Sequence, residues 1–474
     1  MEKLFHLKEN NTTVRTEIVA GLTTFMTMAY IIALNPNLLT GFGAQGGSQL
    51  WNGVFLATCI ASAVGTLVMA FAANKPFAMA PGMGLNSFFA VVVANIVTLT
   101  GMSYLQSFQT ALCIILIEGI VFIVLSVLKV REKIVEAIPL GIRLGIAPAI
   151  GLMLLNIGIG SNAGVYSSDG GPFYVMRDFF GALTPSLAKA NMGDGYPQMV
   201  LTVVTMFVGL FLIVLFAHKK VKGSVLLGML CASGIYWAGE AIFLHTNPFA
   251  ALKGASFVPA FGDMAATTLF KFDFAALGEI GWFTVVTLVI TFCIIDMFDT
   301  IGTLVGTASR AGMVDEKGDM PNMKEALLSD AIGTIAGACT GTSTITTFIE
   351  SASGVEAGGR TGLTALVAGI MFLLTIFLAP LFVAIPYAAT GPALIYVGFL
   401  MLKGFTEIDF TDYDESIGPC VMMMFTAFTG TITNGLGAGI IVHVLVKLVR
   451  GKAKEIHPIM YLLCALMVLY FIVG

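Results

Sequence analysis

The sequence predicts an all-α polytopic membrane protein with about fourteen transmembrane segments in two inverted repeats of seven, with short extended strands in spans 3 and 10. Three observations predict it. The 474 residues are 57% hydrophobic and only 11% charged, with a mean hydropathy of +0.91, where a soluble domain carries about 25% charged residues. Apolar windows recur along the whole chain, each near the length of about 20 residues that a helix needs to cross a hydrocarbon core of roughly 30 Å. Two of these windows are broken by polar and helix-breaking residues, and they lie about seven windows apart.

Taken in order, the chain begins with the polar stretch MEKLFHLKENNTTVRTEIVAGL. It lacks the charged start, short apolar run and small-residue cleavage site of a removable signal, so nothing is expected to be cleaved. Windows then begin near Glu17, Gly53, Phe77, Tyr104, Ile134, Tyr196 and Val221, and a second series begins near Gly281, Lys324, Ser343, Thr361, Pro386, Ser416 and Asn434. A further short apolar run covers 457–473, and its length leaves open whether it spans. Most windows, such as Met199 to Phe216, are apolar all round and need only lipid or other helices around them.

The third and tenth windows differ. From Asn74 to Ile96 an extended-looking run breaks at Pro81, Gly82 and Gly84 before helix-like sequence begins. Between Gly341 and Gly362 the β-branched run Thr342 to Thr347 gives way to small residues and a short helical piece ending at Gly358 and Gly359. Backbone that is not helical at membrane depth must be buried in protein or line a cavity. Two such breaks in corresponding positions of two halves point to a transporter binding site. Seven is odd, so the second half enters the membrane upside down. The stretches Val221 to Gly234 and Thr433 to Leu448, each the seventh window of its half, echo the same register. Most of the 53 glycines read as close helix packing.

Loops on the cytoplasmic side are enriched in Lys and Arg. With the first residue inside, Lys3, Lys8, Arg15, Lys75, Lys129, Arg131, Lys133, Lys219, Lys220, Lys222, Arg310, Lys317, Lys324, Arg360, Lys403, Lys447, Arg450, Lys452 and Lys454 fall on one side. Arg177, Lys189, Lys253 and Lys271 fall on the other, which makes the amino terminus cytoplasmic. Cys59, Cys113, Cys231, Cys293, Cys339, Cys420 and Cys464 are scattered singly in apolar windows and read as small core residues, with no spacing for a metal or a redox motif. No basic run with interleaved aromatics suggests nucleic acid, and the net charge of -4 decides nothing about function.

Chemistry is expected from the acids within the membrane: Glu118, Asp296, Asp299 and Glu350, with Glu356 near the end of the tenth segment. An ionised group near the centre of a lone helix costs roughly 2.5 to 3.5 kcal/mol on insertion scales, so each should face an interior, a partner or water. Asp296 and Asp299 share one helix face about one turn apart. In a dry site two carboxylates so close cannot both carry charge cheaply, so the pair can hold a proton near neutral pH, as a proton-coupled carrier requires. Glu350 opens the half-helix after the extended run, where free amides and the helix dipole favour an acceptor. Asn86, after the break in the third segment, offers an amide with both donor and acceptor. Each has a plainer reading: a cap for Glu350, satisfied bent backbone for Asn86, support of a broken helix for the aspartates. Glu118 reads as a structural partner and Glu356 as an ion pair with Arg360. Carboxylates that accept from N–H groups, an amide that reads a mixed edge, and Phe77 or Phe348 as stacking faces together suit a planar, neutral, nitrogen-rich heterocycle.

The stretches GLTTFMTMAYIIALNP, APGMGLNSFF, DMFDTIGTL, TTFIESASGVEAGGRTGLTAL and GFLMLKGFTEIDFTD, spread over nearly the whole chain, resemble the nucleobase:cation symporters of the uracil and xanthine permease superfamily, and within it the adenine/guanine/hypoxanthine permease branch. The resemblance implies fourteen spans, with a core domain of residues 1–131 and 278–384 and a gate domain of residues 132–277 and 385–474. It places substrate between them, close to the strands of spans 3 and 10. It implies that Asp296 and Glu350 bind a purine with help from Asn86, that Asp299 serves proton coupling or holds the site, and that Phe77, Met83, Phe348, Ile349 and Ser351 line it. Asp296 and Glu350 would share in proton coupling. Where the xanthine and uracil branches carry a Glu and in some members a His on span 8, and a Gln-Asn-x-Gly type signature on span 10, this chain has Asp-x-x-Asp and Glu-Ser-Ala-Ser-Gly. That argues against xanthine, urate or uracil as the main substrate and leaves adenine, guanine and hypoxanthine open.

The expected protein is thus a multi-pass carrier of the cell membrane, not an enzyme. It needs no cofactor or metal and imports purine bases with protons rather than Na+, and a homodimer is among the assemblies left open. An anion carrier or a xanthine or uracil carrier of the same fold is the alternative, although three acids around the break disfavour an anion. An intramembrane aspartyl protease also needs two embedded aspartates, but its pair must meet across two helices to grip one water. Asp296 and Asp299 are consecutive turns of one helix.

Overall fold

The computed structural model describes residues 2–41, 45–128, 137–159, 196–249, 252, 256–310, 313 and 320–473. Lys129, Arg131, Lys133, Arg177, Lys189, Lys253 and Lys317, and the start of the fifth window at Ile134, lie outside them. The protein is mostly helical, and among the described residues 11 helices are long and apolar enough to cross a membrane. They include Val14–Leu39, Gly47–Ala73, Met83–Thr100, Tyr104–Val127 and Trp282–Thr300. Two further windows are helices of 18 and 17 residues, Met323–Thr340 and Tyr413–Thr429. The first carries Lys324, Glu325 and Asp330, which lower its hydropathy. The terminal run is a shorter apolar helix, Pro458–Val473.

Helices begin where short polar side chains can take up free amides. Thr13 accepts from Thr16 N before Val14, Ser103 from Gln106 N before Tyr104, and Thr361 from Leu363 N before Gly362. The last of these starts is also served by Glu17, fully buried on the first span. Its carboxylate accepts from the amides of Arg360 at 2.9 Å, Thr364 at 3.1 Å and Thr361 at 3.3 Å, and from the Thr364 hydroxyl at 2.7 Å.

The chain divides into two compact units, Met1–Lys133 with Ser256–Phe382, and Ile134–Ala255 with Val383–Gly474. Residues 256–277, grouped by the sequence with 132–255, pack in the first unit: the Oγ1 of Thr267 would lie 2.6 Å from a Cβ on Gly53, and Phe270 N donates to Cys339 O at 2.8 Å. In the first unit an apolar core joins Ala61, Met69, Phe77, Met79, Leu327 and Ile345. In the second, Met199, Val203 and Met206 pack with Ile395. Gly65 and Gly333 let two helices of the first unit approach until a Cβ on Gly65 would lie 3.4 Å from the Gly333 Cα. Any larger residue there would separate the helices that Ile345 packs against.

Both interrupted windows become strand, then helix. Strand β1 is Met79–Pro81, followed by the helix Met83–Thr100, and strand β2 is Ile345–Thr347, followed by the short helix Ser351–Glu356. The two strands pair antiparallel, with Met79 opposite Thr347, Ala80 opposite Thr346 and Pro81 opposite Ile345.

Candidate functional site

The site is built on these two breaks, whose non-helical backbone groups must be paired within protein or line a cavity. Pairing runs past the strands at both ends: Phe348 N donates to Ala78 O at 3.0 Å and Gly82 N to Thr344 O at 3.2 Å. The free edge of β1 is closed by one side chain, the Thr66 hydroxyl, which accepts from Met79 N at 2.9 Å and donates to Met79 O at 3.1 Å. Ser351 Oγ accepts from Ala78 N at 3.0 Å, so the short second helix is fixed to the first break.

Asn86 is fully buried and spends its amide on the same task. Its Nδ2 donates to Pro81 O at 3.1 Å and its Oδ1 accepts from the Ser343 hydroxyl. The side chain expected to read a ligand edge thus ties the two broken segments to each other. Glu118 likewise holds the second break, accepting from Thr344 Oγ1 at 2.8 Å. Asn35 donates to Thr342 Oγ1 and Thr58 Oγ1, each at 2.8 Å.

The carboxylates fall into two groups. Asp296 is fully buried, and the Thr300 hydroxyl lies 3.2 Å from its Oδ1. The same hydroxyl lies 3.0 Å from Asp330 Oδ1, 2.9 Å from Asp330 Oδ2 and 3.0 Å from Thr346 Oγ1 on strand β2. Asp299, one turn from Asp296, is partly buried, and its Oδ2 lies 3.5 Å from where a Cβ on Gly82 would stand. It is within electrostatic reach of Glu350. Glu350 is partly buried at the start of the six-residue helix Ser351–Glu356, and its Oε1 accepts from the Tyr30 hydroxyl at 2.7 Å. Its side chain makes no cap to its own helix. The structure therefore sets Asp299 beside the first break, on a helix that packs against the short helix opened by Glu350, and sets Asp296 in a buried polar cluster with Thr300, Asp330 and Thr346.

Of the expected lining residues, Ile349 is 52% exposed, whereas Met83, Phe348 and Ser351 are buried. Phe77 is fully buried within the apolar core of its unit, so neither ring face is free to stack on a ligand. Arg360, expected to pair with Glu356, donates Nη1 instead to the carbonyls of Val355 and Gly359 at 2.7 Å each. Among the described residues no ion pair joins it to Glu356.

Sequence reasoning missed Tyr30, Glu17 and Asp330. Asp330 and Glu17 are acids within apolar windows and answer to the criterion that found Asp296. Tyr30 has no charge to betray it, and only the fold shows its hydroxyl next to a carboxylate 320 residues away. Among the described residues no group of three or more His, Cys, Asp or Glu could hold a metal ion.

The Permease family (Xan_ur_permease) matches residues 15–436. Over the whole length the chain is similar to two bacterial proteins. It is 36% identical to "Guanine/hypoxanthine permease PbuO" of Bacillus subtilis, covering 99% of each chain. It is 34% identical to "Adenine permease AdeP" of Escherichia coli, covering 99% of this chain and 95% of that one. Among solved structures, the fold is shared with the transmembrane domain of a cyanobacterial bicarbonate transporter, BicA, at a TM-score of 0.63 and 16% identity, covering 89% of this chain and 97% of that one.

Proposed function

The chain belongs to the Permease family and is a transporter rather than an enzyme, and on that premise we propose that it imports purine nucleobases by proton symport with alternating access. The observation that carries this reading is the Glu350 carboxylate, which is partly buried beside paired breaks at membrane depth and lies within electrostatic reach of Asp299. Carboxylates in such a place accept from the ring and exocyclic N–H groups of a neutral base. Relatives over the full length are named for guanine, hypoxanthine and adenine transport, which supports a purine as the cargo.

The buried cluster supports the proton. The Thr300 hydroxyl proton faces three carboxylate oxygens, one on Asp296 and two on Asp330, and Thr300 also exchanges a hydrogen bond with the Thr346 hydroxyl, in which either can donate. Carboxylates so close in a dry site favour holding a further proton, as the coupling of uptake to an inward proton gradient requires. In this reading Glu350 and Asp299 bind the base with Ile349 beside them, while Asp296 works in the coupling cluster and Asn86 and Ser351 hold the breaks in register. This reverses the division of labour the sequence suggested for the two aspartates. Its basis is that Asp299, and not Asp296, is partly exposed, on a helix that packs against the short helix opened by Glu350.

We extend the reading to fourteen spans in two inverted sevens, in the cell membrane, with the amino terminus on the cytoplasmic side. The paired breaks in spans 3 and 10 and the asymmetry of Lys and Arg support these. An anion carrier is disfavoured by the same carboxylates. The test is uptake of labelled adenine, guanine and hypoxanthine by cells that express the protein, with cross-competition and with a protonophore. Purine uptake that collapses with the protonophore is expected. Uptake of an anion indifferent to purines, or purine uptake driven by Na+ alone, would overturn the reading.

A further inference from the structure

We propose that Tyr30 is the positioning residue for Glu350: its hydroxyl holds the carboxylate in the one orientation that leaves Oε2 free for an N–H of the bound base. This rests on the purine reading and adds a residue from the first span to the site.

The geometry begins at the junction of two helices, Val14–Met28 and Ile31–Leu39. Ala29 and Tyr30 keep right-handed helical angles, but the hydrogen bonds tighten there to Ile32 N with Ala29 O and Ala33 N with Tyr30 O, both 3.2 Å. The Tyr30 ring is 1% exposed, so it is held on all sides. A buried phenol needs a partner for its O–H, and Glu350 Oε1 at 2.7 Å supplies it with a charge-assisted bond.

The helix that Glu350 opens is seated on the same face of the first span. A Cβ on Gly354 would lie 2.0 Å from Thr24 Oγ1 and 2.9 Å from Ala20 O, so the two backbones are in close contact there. Thr27 Oγ1 lies 3.5 Å from the Glu350 carbonyl. Ala20, Thr24, Thr27 and Tyr30 follow helical spacing along one stripe. The stripe therefore sets the height of the short helix, and Tyr30 at its end sets the angle of the carboxylate. A hydroxyl both donates and accepts, so the contact persists whether Glu350 is ionised or carries a proton. Ligand recognition then depends on a pre-aimed acceptor, whose benefit appears as affinity rather than as rate of turnover.

The experiment is uptake kinetics of labelled adenine, guanine and hypoxanthine by the full-length protein and by Tyr30→Phe, which keeps the ring and removes only the hydroxyl, at equal amounts of protein in the membrane. Affinity of the purified proteins for the same three bases serves as a second measurement should the variant reach the membrane poorly. The expected result is a KM and Kd raised roughly tenfold or more, as for loss of a hydrogen bond to a charged group, with the maximal rate within about twofold. A wild-type KM and Kd in Tyr30→Phe, or a fall in maximal rate with KM unchanged, would overturn the role of Tyr30 and leave the purine reading standing. A wild-type protein that neither binds nor transports any purine would overturn both.

Discussion

The Thr300 hydroxyl sits 3.0 Å from Oδ1 and 2.9 Å from Oδ2 of Asp330, with 3.0 Å to Thr346 Oγ1 on strand β2. One threonine thus joins the aspartate helix, the helix Met323–Thr340 and the second break. Thr300→Val keeps the shape and removes the hydroxyl from a buried carboxylate. The expected cost is about 1 to 3 kcal/mol of stability, with purine uptake reduced at least severalfold. Thermal unfolding in detergent and uptake at equal expression check it. Unchanged unfolding and uptake would mean that the cluster is incidental.

Gly354 lies where the short helix meets the first span. Because a Cβ there would stand 2.0 Å from Thr24 Oγ1 and 2.9 Å from a backbone oxygen, Gly354→Ala must push the helix away and carry Glu350 with it. Uptake should fall by an order of magnitude or more even where the protein remains in the membrane. The double variant Gly354→Ala with Thr24→Ala relieves only the hydroxyl clash, so partial recovery is expected when both are assayed side by side.

Ser351 satisfies a backbone amide that has no strand partner. Its loss in Ser351→Ala leaves Ala78 N buried without its acceptor, at a cost of about 1 to 3 kcal/mol. The fall should appear as a lower unfolding temperature, and Ser351→Thr, which retains the hydroxyl, should recover part of it.

At the end of the second unit Asp414, in the first turn of Tyr413–Thr429, pairs with Lys452 and with Arg450 at 2.6 Å. The Lys452 hydrogen bond, with that of Arg450 and the charge of both, holds the Asp414 carboxyl below the usual carboxylate range, and Asp414 in turn raises the Lys452 ammonium. A depressed acid stabilises fully above the ordinary carboxylate value of about 4 and loses its contribution as pH falls through its folded value. A raised ammonium stabilises fully below about 10 and loses its contribution at still higher pH. Asp414→Asn should therefore lower the unfolding temperature at pH 7, and the gap to the unsubstituted protein should close on acidification. A gap independent of pH would contradict an ionic origin.

The outline of the fold was legible because hydropathy is additive along the chain: a run of apolar residues is a span whatever surrounds it. The two breaks were legible because Pro81, Gly82 and the run Thr342 to Thr347 cannot continue a membrane helix, and both became strand. Asp296, Asp299 and Glu350 stood out because buried charge is costly. What each contacts was not legible. Asn86 and Ser343, and Tyr30 and Glu350, meet only after hundreds of residues fold together, and hydrogen-bond partners have no signature in linear order. Phe77 was misplaced for the same reason: an aromatic beside a break can face a cavity or the core, and here the residues behind it, Ala61 and Met69, decide for the core. Residues 256–277 fall between the seventh and eighth windows, and their place in linear order does not reveal which unit they join.

The most direct test of the central claim, that Glu350 and Asp299 carry a purine, is uptake of labelled hypoxanthine, guanine and adenine by Glu350→Gln and Asp299→Asn at membrane levels matched to the unsubstituted protein. Both changes preserve shape and remove a charge. Abolished uptake of all three bases in both variants is predicted, whereas near-normal transport by both would contradict it.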